Sequence, residues 1–254
     1  MKRIIFWIRL GLAAGLDARL LVSLGSEAFR QVVQRAPHAA VIAALLPRIS
    51  YERVLQEANR KPPANMAAVY LDQPFGRQLD LLRLLIPALR RIGVVWGPES
   101  VTQQALLQAA AQARGLELSE SVVGESTPLI GALRTSLNNA EVLLAVADGS
   151  VYNASTVSNI LLTSYRSKTP VMAFSPAYVK AGALLSVHST AAQVGAQLAG
   201  MASHFLQSNS LPVNQYPSDF TLTGNDYVAR SLGISLDTKT LGERLHRLEK
   251  DKRP

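Results

Sequence analysis

The side chains best suited to chemistry are Asp148, Tyr152, Asn153, Ser155, Thr156 and Ser175, all within the stretch Glu141 to Thr190. They supply a carboxylate, hydroxyls, an amide and an aromatic ring. Such a set can hold a small molecule: a carboxylate accepts from an ammonium, while hydroxyls donate to an anion. It is poorly suited to breaking bonds. Asp72, Asp80 and Asp148 form no acid–base pair, and the stretch offers no nucleophile with a partnered base.

The apolar runs between these residues say why they would meet. Val142 to Ala147 is continuously apolar, as in a strand covered on both faces, and Asp148-Gly149-Ser150 ends it. Asn153, Ser155 and Thr156 offer N-cap oxygens to a helix whose Val157, Ile160, Leu161 and Tyr165 recur at helical spacing. Lys168 suits its last turn, and Pro170 bars its continuation. Val171 to Phe174 reads as a second strand. Ser175-Pro176 then opens a short helix, Gly182 suits its end, and Leu184 to Val187 is a third strand. If the strands are parallel, the polar residues fall just past their carboxyl ends. Open α/β sheets bind ligands at that edge, and helix N-termini there favour carboxylates and phosphates. Each residue alone is as well explained by a cap or turn, so the expectation rests on the cluster.

The bulk composition narrows the field. With 254 residues, 48% hydrophobic and 17% charged, the chain has material for one large domain or two lobes. No run is long and charge-free enough to span a bilayer. The cysteine count is zero, which removes disulfides, thiolate metal sites and cysteine nucleophiles. His38, His188, His204 and His246 lack metal-ligand spacing, so no metal is expected. No dinucleotide fingerprint, P-loop or Gly-x-Ser-x-Gly elbow is present, and neither a cofactor nor an enzymatic activity is expected. The net charge of +8 is spread out, densest at Arg90-Arg91 and from Arg244 to Arg253, without interleaved aromatics; it reads as a solvated surface rather than a nucleic-acid site.

Strand and helix patterns alternate along the whole chain. Strands are expected at Arg19–Leu24, Ala40–Leu46, Ala67–Leu71, Arg91–Trp96, Leu116–Val123 and Phe220–Leu222. Helices are expected after Gly25, around Glu52 to Ala58, after Gly76, from Val101 to Arg114 with Ser100 as cap, from Thr127 to Asn138, from Ala191 to Leu206 and from Leu241 to Leu248. Lys61-Pro62-Pro63 is a break. This alternation predicts an α/β fold of doubly wound parallel sheets. Lys2-Arg3 before Ile4 to Ile8 resembles the start of a secretion signal. Arg9 interrupts it, and a short amphipathic helix is the preferred reading of Met1 to Leu16.

The run Gln78-Leu79-Asp80-Leu81-Leu82-Arg83-Leu84-Leu85-Ile86-Pro87, followed by Arg91-Ile92-Gly93-Val94-Val95-Trp96-Gly97-Pro98, resembles the substrate-binding proteins of ABC transporters. The resemblance is to the bilobal family with tryptophan/tyrosine-type binding components. Asp148 with Val151-Tyr152-Asn153, then Pro170 to Val179 and Ala181 to Leu184, resemble its second lobe; Asn225 with Val228 to Gly233 resembles its return segment. The resemblance implies two type I periplasmic-binding-protein-like lobes, 1–90 with 215–254 and 91–214, with a ligand between them. It places Ser26, Trp96, Gly97, Asp148, Tyr152, Asn153, Ser155 and Ser175 at the ligand. Further strand–helix units precede the segment matching Leu20 in the family, so the first lobe is expected to be shortened at its N-terminus; Gly149 stands where a proline is usual. The implied role is the solute-binding component of an ABC importer for a small amino-acid-like or organic-anion ligand. Permease and ATPase subunits would be its partners and the periplasm its place, or the cytoplasm if Met1–Leu16 is no signal. Alternative readings are a ligand-sensing regulator, an enzyme of the doubly wound class and a truncated, non-functional relative.

Overall fold

A computed structural model describes residues 4–7, 19–35, 38–59 and 64–252. The Lys61-Pro62-Pro63 break, Pro37, which is expected to end the helix after Gly25, and most of the Met1–Leu16 stretch lie outside them. Within that stretch, Ile4–Trp7 is a strand rather than part of a helix: its backbone pairs in parallel with Leu20 to Ser23. The chain divides into two compact units. Met1–Gln73 and Ser189–Phe220 make unit 1; Pro74–His188 and Thr221–Pro254 make unit 2.

Unit 1 begins with β1 (Ile4–Trp7), β2 (Leu20–Leu24), α1 (Ser26–Arg35), β3 (Ala40–Leu46), α2 (Arg48–Glu57) and β4 (Met66–Tyr70). Its sheet is parallel, in the order β1-β2-β3-β4. The runs of β2 to β4 are apolar at nearly every position because both faces are covered. On one face Leu21, Val41 and Ala43 meet Phe29 and Val32 of α1 and Tyr51, Val54 and Leu55 of α2. Full burial of each such large side chain contributes about 1.5–3 kcal/mol. Near the end of β3 the register shifts between Ala44 and Leu46, and Leu45 sits at φ 57°, a left-handed geometry that a β-bulge imposes on it.

The chain then builds unit 2 from α3 (Phe75–Leu85), β5 (Arg91–Trp96), a 3₁₀ turn (Ser100–Gln103) leading into α4 (Gln104–Gln112), β6 (Glu117–Val122), α5 (Leu129–Leu137), β7 (Val142–Leu144), α6 (Val157–Arg166), β8 (Val171–Ala173), α7 (Pro176–Ala181) and β9 (Leu185–His188). It returns to unit 1 for α8 (Ala191–Ser208), whose Val194, Leu198, Met201, Ala202 and Phe205 cover Leu20, Val22, Ile42 and Val69 on the second face of that sheet. Unit 2 is completed by β10 (Thr221–Gly224), α9 (Asp226–Ser231) and α10 (Thr238–Asp251). Its six strands run β10-β9-β8-β7-β5-β6. All pairs are parallel except β10 on β9, which is antiparallel at the edge.

The α/β class and the parallel sheets expected from the sequence are present. The division of the chain differs from the expected 1–90 with 215–254 and 91–214. α3 and α10 both belong to unit 2, where Arg77 Nε and Nη2 donate to Glu249 at 2.5 and 2.9 Å and Lys252 reaches Asp80 at 2.7 Å. Residues Ser189 to Ser208 belong to unit 1 because the apolar stripe of α8 lies on β2 to β4. An amphipathic pattern reports that a helix has a buried face, not which sheet receives it.

Candidate functional site

The loops past the carboxyl ends of β5, β7 and β8 form one edge of unit 2, and Asp148 organises it. The residue is 3% exposed. Its Oδ2 accepts from the amides of Ser100 at 2.8 Å and Glu99 at 3.1 Å, and its Oδ1 from the Ser150 amide at 2.9 Å and hydroxyl at 2.6 Å. A carboxylate has about four acceptor positions, so these donors fill it. Burial alone would raise its pKa; the bonds from Ser150 and Ser100 outweigh burial and hold the carboxyl below its ordinary value. The family resemblance placed Asp148 at the ligand, where a carboxylate could accept from an ammonium. The structure instead makes it a clamp that ties the β5 loop to the β7 loop, with no lone pair left over. It also explains Gly97: a Cβ there would stand 2.6 Å from Asp148 Cγ and 2.5 Å from Ser150 Oγ. Glycine at 97 lets the carboxylate approach the backbone.

Two aromatic expectations change for the same reason, burial. Trp96 is fully buried, and its indole N–H donates to Glu120 Oε1 of edge strand β6 at 2.7 Å. Tyr152 is 5% exposed within the core of unit 2; its hydroxyl has no hydrogen-bond partner among the described residues, and burial drives its pKa up. Neither side chain is presented to solvent. The rings beside Tyr152 are half-buried instead: Phe174 and Tyr178 lie 4.9 Å apart, each meeting the Tyr152 ring nearly edge-on, and the Tyr178 hydroxyl donates to Tyr152 O at 2.9 Å. Phe174 was legible as the last residue of an apolar strand, but nothing in the pattern distinguished it from a core residue.

Asn153 and Ser155 make their own turn. Asn153 Oδ1 accepts from the Ser155 amide at 2.9 Å and hydroxyl at 2.6 Å, while its Nδ2 donates to Gly149 O at 2.9 Å. Thr156 is the N-cap of α6 without capping through its side chain, which instead accepts from the Asn153 amide at 3.0 Å. Tyr165, expected on the buried face of that helix, is 48% exposed, and Ser164 takes the buried position. Ser100 likewise does not cap a helix; its Oγ accepts from Gly97 N at 3.0 Å.

Ser175 lies at its expected position, between a strand and a helix. It follows β8, is half-buried at the N-cap of α7, and its hydroxyl has no hydrogen-bond partner among the described residues. Ser26 has the same character in unit 1: it follows β2 and Gly25, is half-buried at the start of α1, and its hydroxyl is also without a partner among the described residues. The structure therefore keeps Asp148, Gly97, Asn153, Ser155 and Ser175 on one edge of unit 2, sends Trp96 and Tyr152 into its core, and sets Ser26 at the corresponding edge of unit 1. Among the described residues no cluster of His, Asp and Glu could hold a metal ion, and no helix is long and apolar enough to cross a membrane.

Residues 14–244 match the family model described as ABC transporter substrate binding protein. No curated protein matches the chain. Among solved structures, the chain is similar to a conserved domain protein from Vibrio cholerae, with a TM-score of 0.63 and 22% identity over 89% of this chain and 77% of that one. It is similar to an ABC domain from Streptococcus pneumonia in complex with L-Trp, with a TM-score of 0.62 and 21% identity over 89% and 79%. A ligand-free, open substrate-binding protein with adhesive properties from Clostridium difficile gives a TM-score of 0.69 at 18% identity over 87% and 76%.

Proposed function

We propose that this chain, which belongs to the family of ABC transporter substrate-binding proteins, is the solute-binding component of an import system and takes a small amino-acid-like or organic-anion ligand. The observation that carries this reading is the pair of hydroxyls, Ser26 and Ser175. Each stands just past the carboxyl end of a parallel strand and has no hydrogen-bond partner among the described residues, where the other polar side chains of the unit 2 edge are engaged in their own turns. Sheet edges of this kind are where open α/β folds take ligands. Phe174 and Tyr178 add apolar ring surface beside Ser175. The amino-acid class is carried over from the relative that holds L-Trp. In this reading the protein binds without turnover, outside the cytoplasmic membrane, and hands its solute to permease and ATPase subunits.

A thermal-shift screen of the twenty amino acids and small carboxylates tests it. A true ligand at a hundred times its Kd stabilises the folded chain by about 2.7 kcal/mol. The Ser175→Ala variant is expected to weaken the hit by about 0.5–1.5 kcal/mol, the range of one neutral hydrogen bond, while leaving the unliganded midpoint in place. Steady conversion of the hit to a product would overturn the reading, as would the absence of any hit.

A further inference from the structure

We infer that unit 1 carries a second binding site, apart from the sheet-edge hydroxyls: the groove between α8 and strands β2 and β3 takes the chain of a single-chain amphiphile, a fatty carboxylate. This does not depend on the solute-binding reading above. The groove has a volume of about 400 Å³, within the range of small-molecule pockets. One wall is made by Val22 and Leu24 of β2 with Ala44 and Leu45 of β3. The other is α8, where Ala191, Gly195, Ala199 and Ser203 recur every fourth residue and so line up along the helix. These four are exposed and leave the groove open along its length, while Val194, Leu198 and Ala202 are buried beneath them.

The backbone is shaped around this space. At the β3 bulge two consecutive residues, Ala44 and Leu45, pack on the α8 face before Leu46 returns to the face of α1 and α2. The bulge thereby turns a leucine into the groove wall, at a φ of 57° that leucine seldom adopts. Protein interiors leave few voids larger than a water molecule, so a space of this size beside a strained wall residue is unlike ordinary core packing.

Its chemistry and shape select the ligand. The stretch Ser189 to Ser218 contains no Asp, Glu, Lys or Arg, and among the described lining residues Ser203 supplies the one polar side chain. The walls therefore suit an apolar chain and offer nothing to a sugar or a zwitterion. Ala191 to Ser203 covers about 18 Å of helix. The same 400 Å³ drawn out over that length is slender, fitting one unbranched chain rather than the paired tails of a membrane lipid. At the Ser203 end, α8 closes at Asn209, whose Oδ1 accepts from Arg19 Nη2 at 2.8 Å. Arg19 directly precedes β2 and is exposed, so its guanidinium is placed for a carboxylate head, with the tail running toward Leu24 and Leu45.

The test uses decanoate and its uncharged analogue decan-1-ol as probes, both below the concentration at which they aggregate, by calorimetry, with sedimentation equilibrium on the same samples. The wild type is expected to bind decanoate. Gly195→Leu and Ala199→Leu fill the groove from α8, and a Cβ at Gly195 meets nothing within 4 Å, so both should keep the wild-type circular dichroism and lose at least tenfold in affinity. Arg19→Gln should bind decanoate several-fold more weakly than the wild type and decan-1-ol equally well. Failure of the wild type to bind decanoate, or undiminished binding by the two filled variants, overturns the site. Undiminished decanoate binding by Arg19→Gln overturns the carboxylate as its ligand. A wild-type dimer that Gly195→Leu converts to a monomer also overturns the proposal, because a second copy of the chain is then what covers the groove. The amino-acid screen reads a different part of unit 1 and of unit 2, so the two proposals fail separately.

Discussion

Asp148 shows how a single residue's chemistry is set by its donors. Asp148→Ala would strand the amides of Glu99, Ser100 and Ser150, and a loss of about 3 kcal/mol is expected in urea unfolding, from the 1–3 kcal/mol typical of each buried group left unpaired and partial relaxation of the loops. Its pH dependence has a definite sign. The folded-state pKa lies below the unfolded value of about 3.9, so its stabilisation is fully present above that value and is lost as pH falls through the lower, folded one. Asp72 runs the other way. Its raised pKa means that the charged form opposes folding above the folded pKa, and acidification relieves this. Unfolding midpoints from pH 6 to 2 should therefore fall less steeply in Asp148→Asn, and more steeply in Asp72→Asn, than in the wild type. That Asp148 matters was legible from its place at the end of an apolar run. That it faces inward was not, because two of its donors come from a loop 48 and 49 positions earlier in the chain.

Among the elements, α8 carries both a strong and a weak feature. Its start is a capping box, with the Gln193 amide donating to Thr190 Oγ1 at 3.2 Å and the Thr190 amide to Gln193 Oε1 at 2.8 Å. Thr190→Ala is expected to lower stability by about 1 kcal/mol. Five residues after Thr190, Gly195 borders a cavity of about 400 Å³ lined by Val22, Leu24, Ala44, Leu45 and Leu198, and a Cβ at Gly195 would meet nothing within 4 Å. Gly195→Ala should therefore raise the unfolding midpoint, gaining about 0.5–1 kcal/mol from helix propensity alone; a drop would show that the backbone there is needed by something the cavity receives. The length and apolar stripe of α8 are plain in the sequence, whereas its assignment to unit 1 depends on which sheet its stripe meets.

At the scale of the molecule, each unit has its own core: Phe29, Tyr51 and their neighbours in one, Leu133, Leu143, Ile160 and theirs in the other. Urea unfolding followed by far-UV circular dichroism is expected to show two transitions. Glu249→Gln should shift one of them to lower urea, because it removes the carboxylate charge set against the guanidinium of Arg77, which is 5% exposed. The other should stay where it is. A single transition moved as a whole by that substitution would mean that the two units fold as one.

The sequence by itself determined the elements and the fold class. Continuous apolar runs such as Val41 to Leu46 and Ile92 to Trp96 fit strands covered on both faces, and the helical spacing between them fits crossovers. Its family likeness followed from local runs of the same kind and holds over residues 14–244. Which polar groups the fold itself engages was settled only by tertiary contacts. Asp148, Trp96 and Tyr152 look like binding groups in one dimension, yet burial and partners distant in the chain use them up. Ser175 and Ser26 look like ordinary caps, and their hydroxyls have no hydrogen-bond partner among the described residues. Hydrogen-bond satisfaction is a property of space, and a buried polar group takes its partner from whichever segment the fold brings to it.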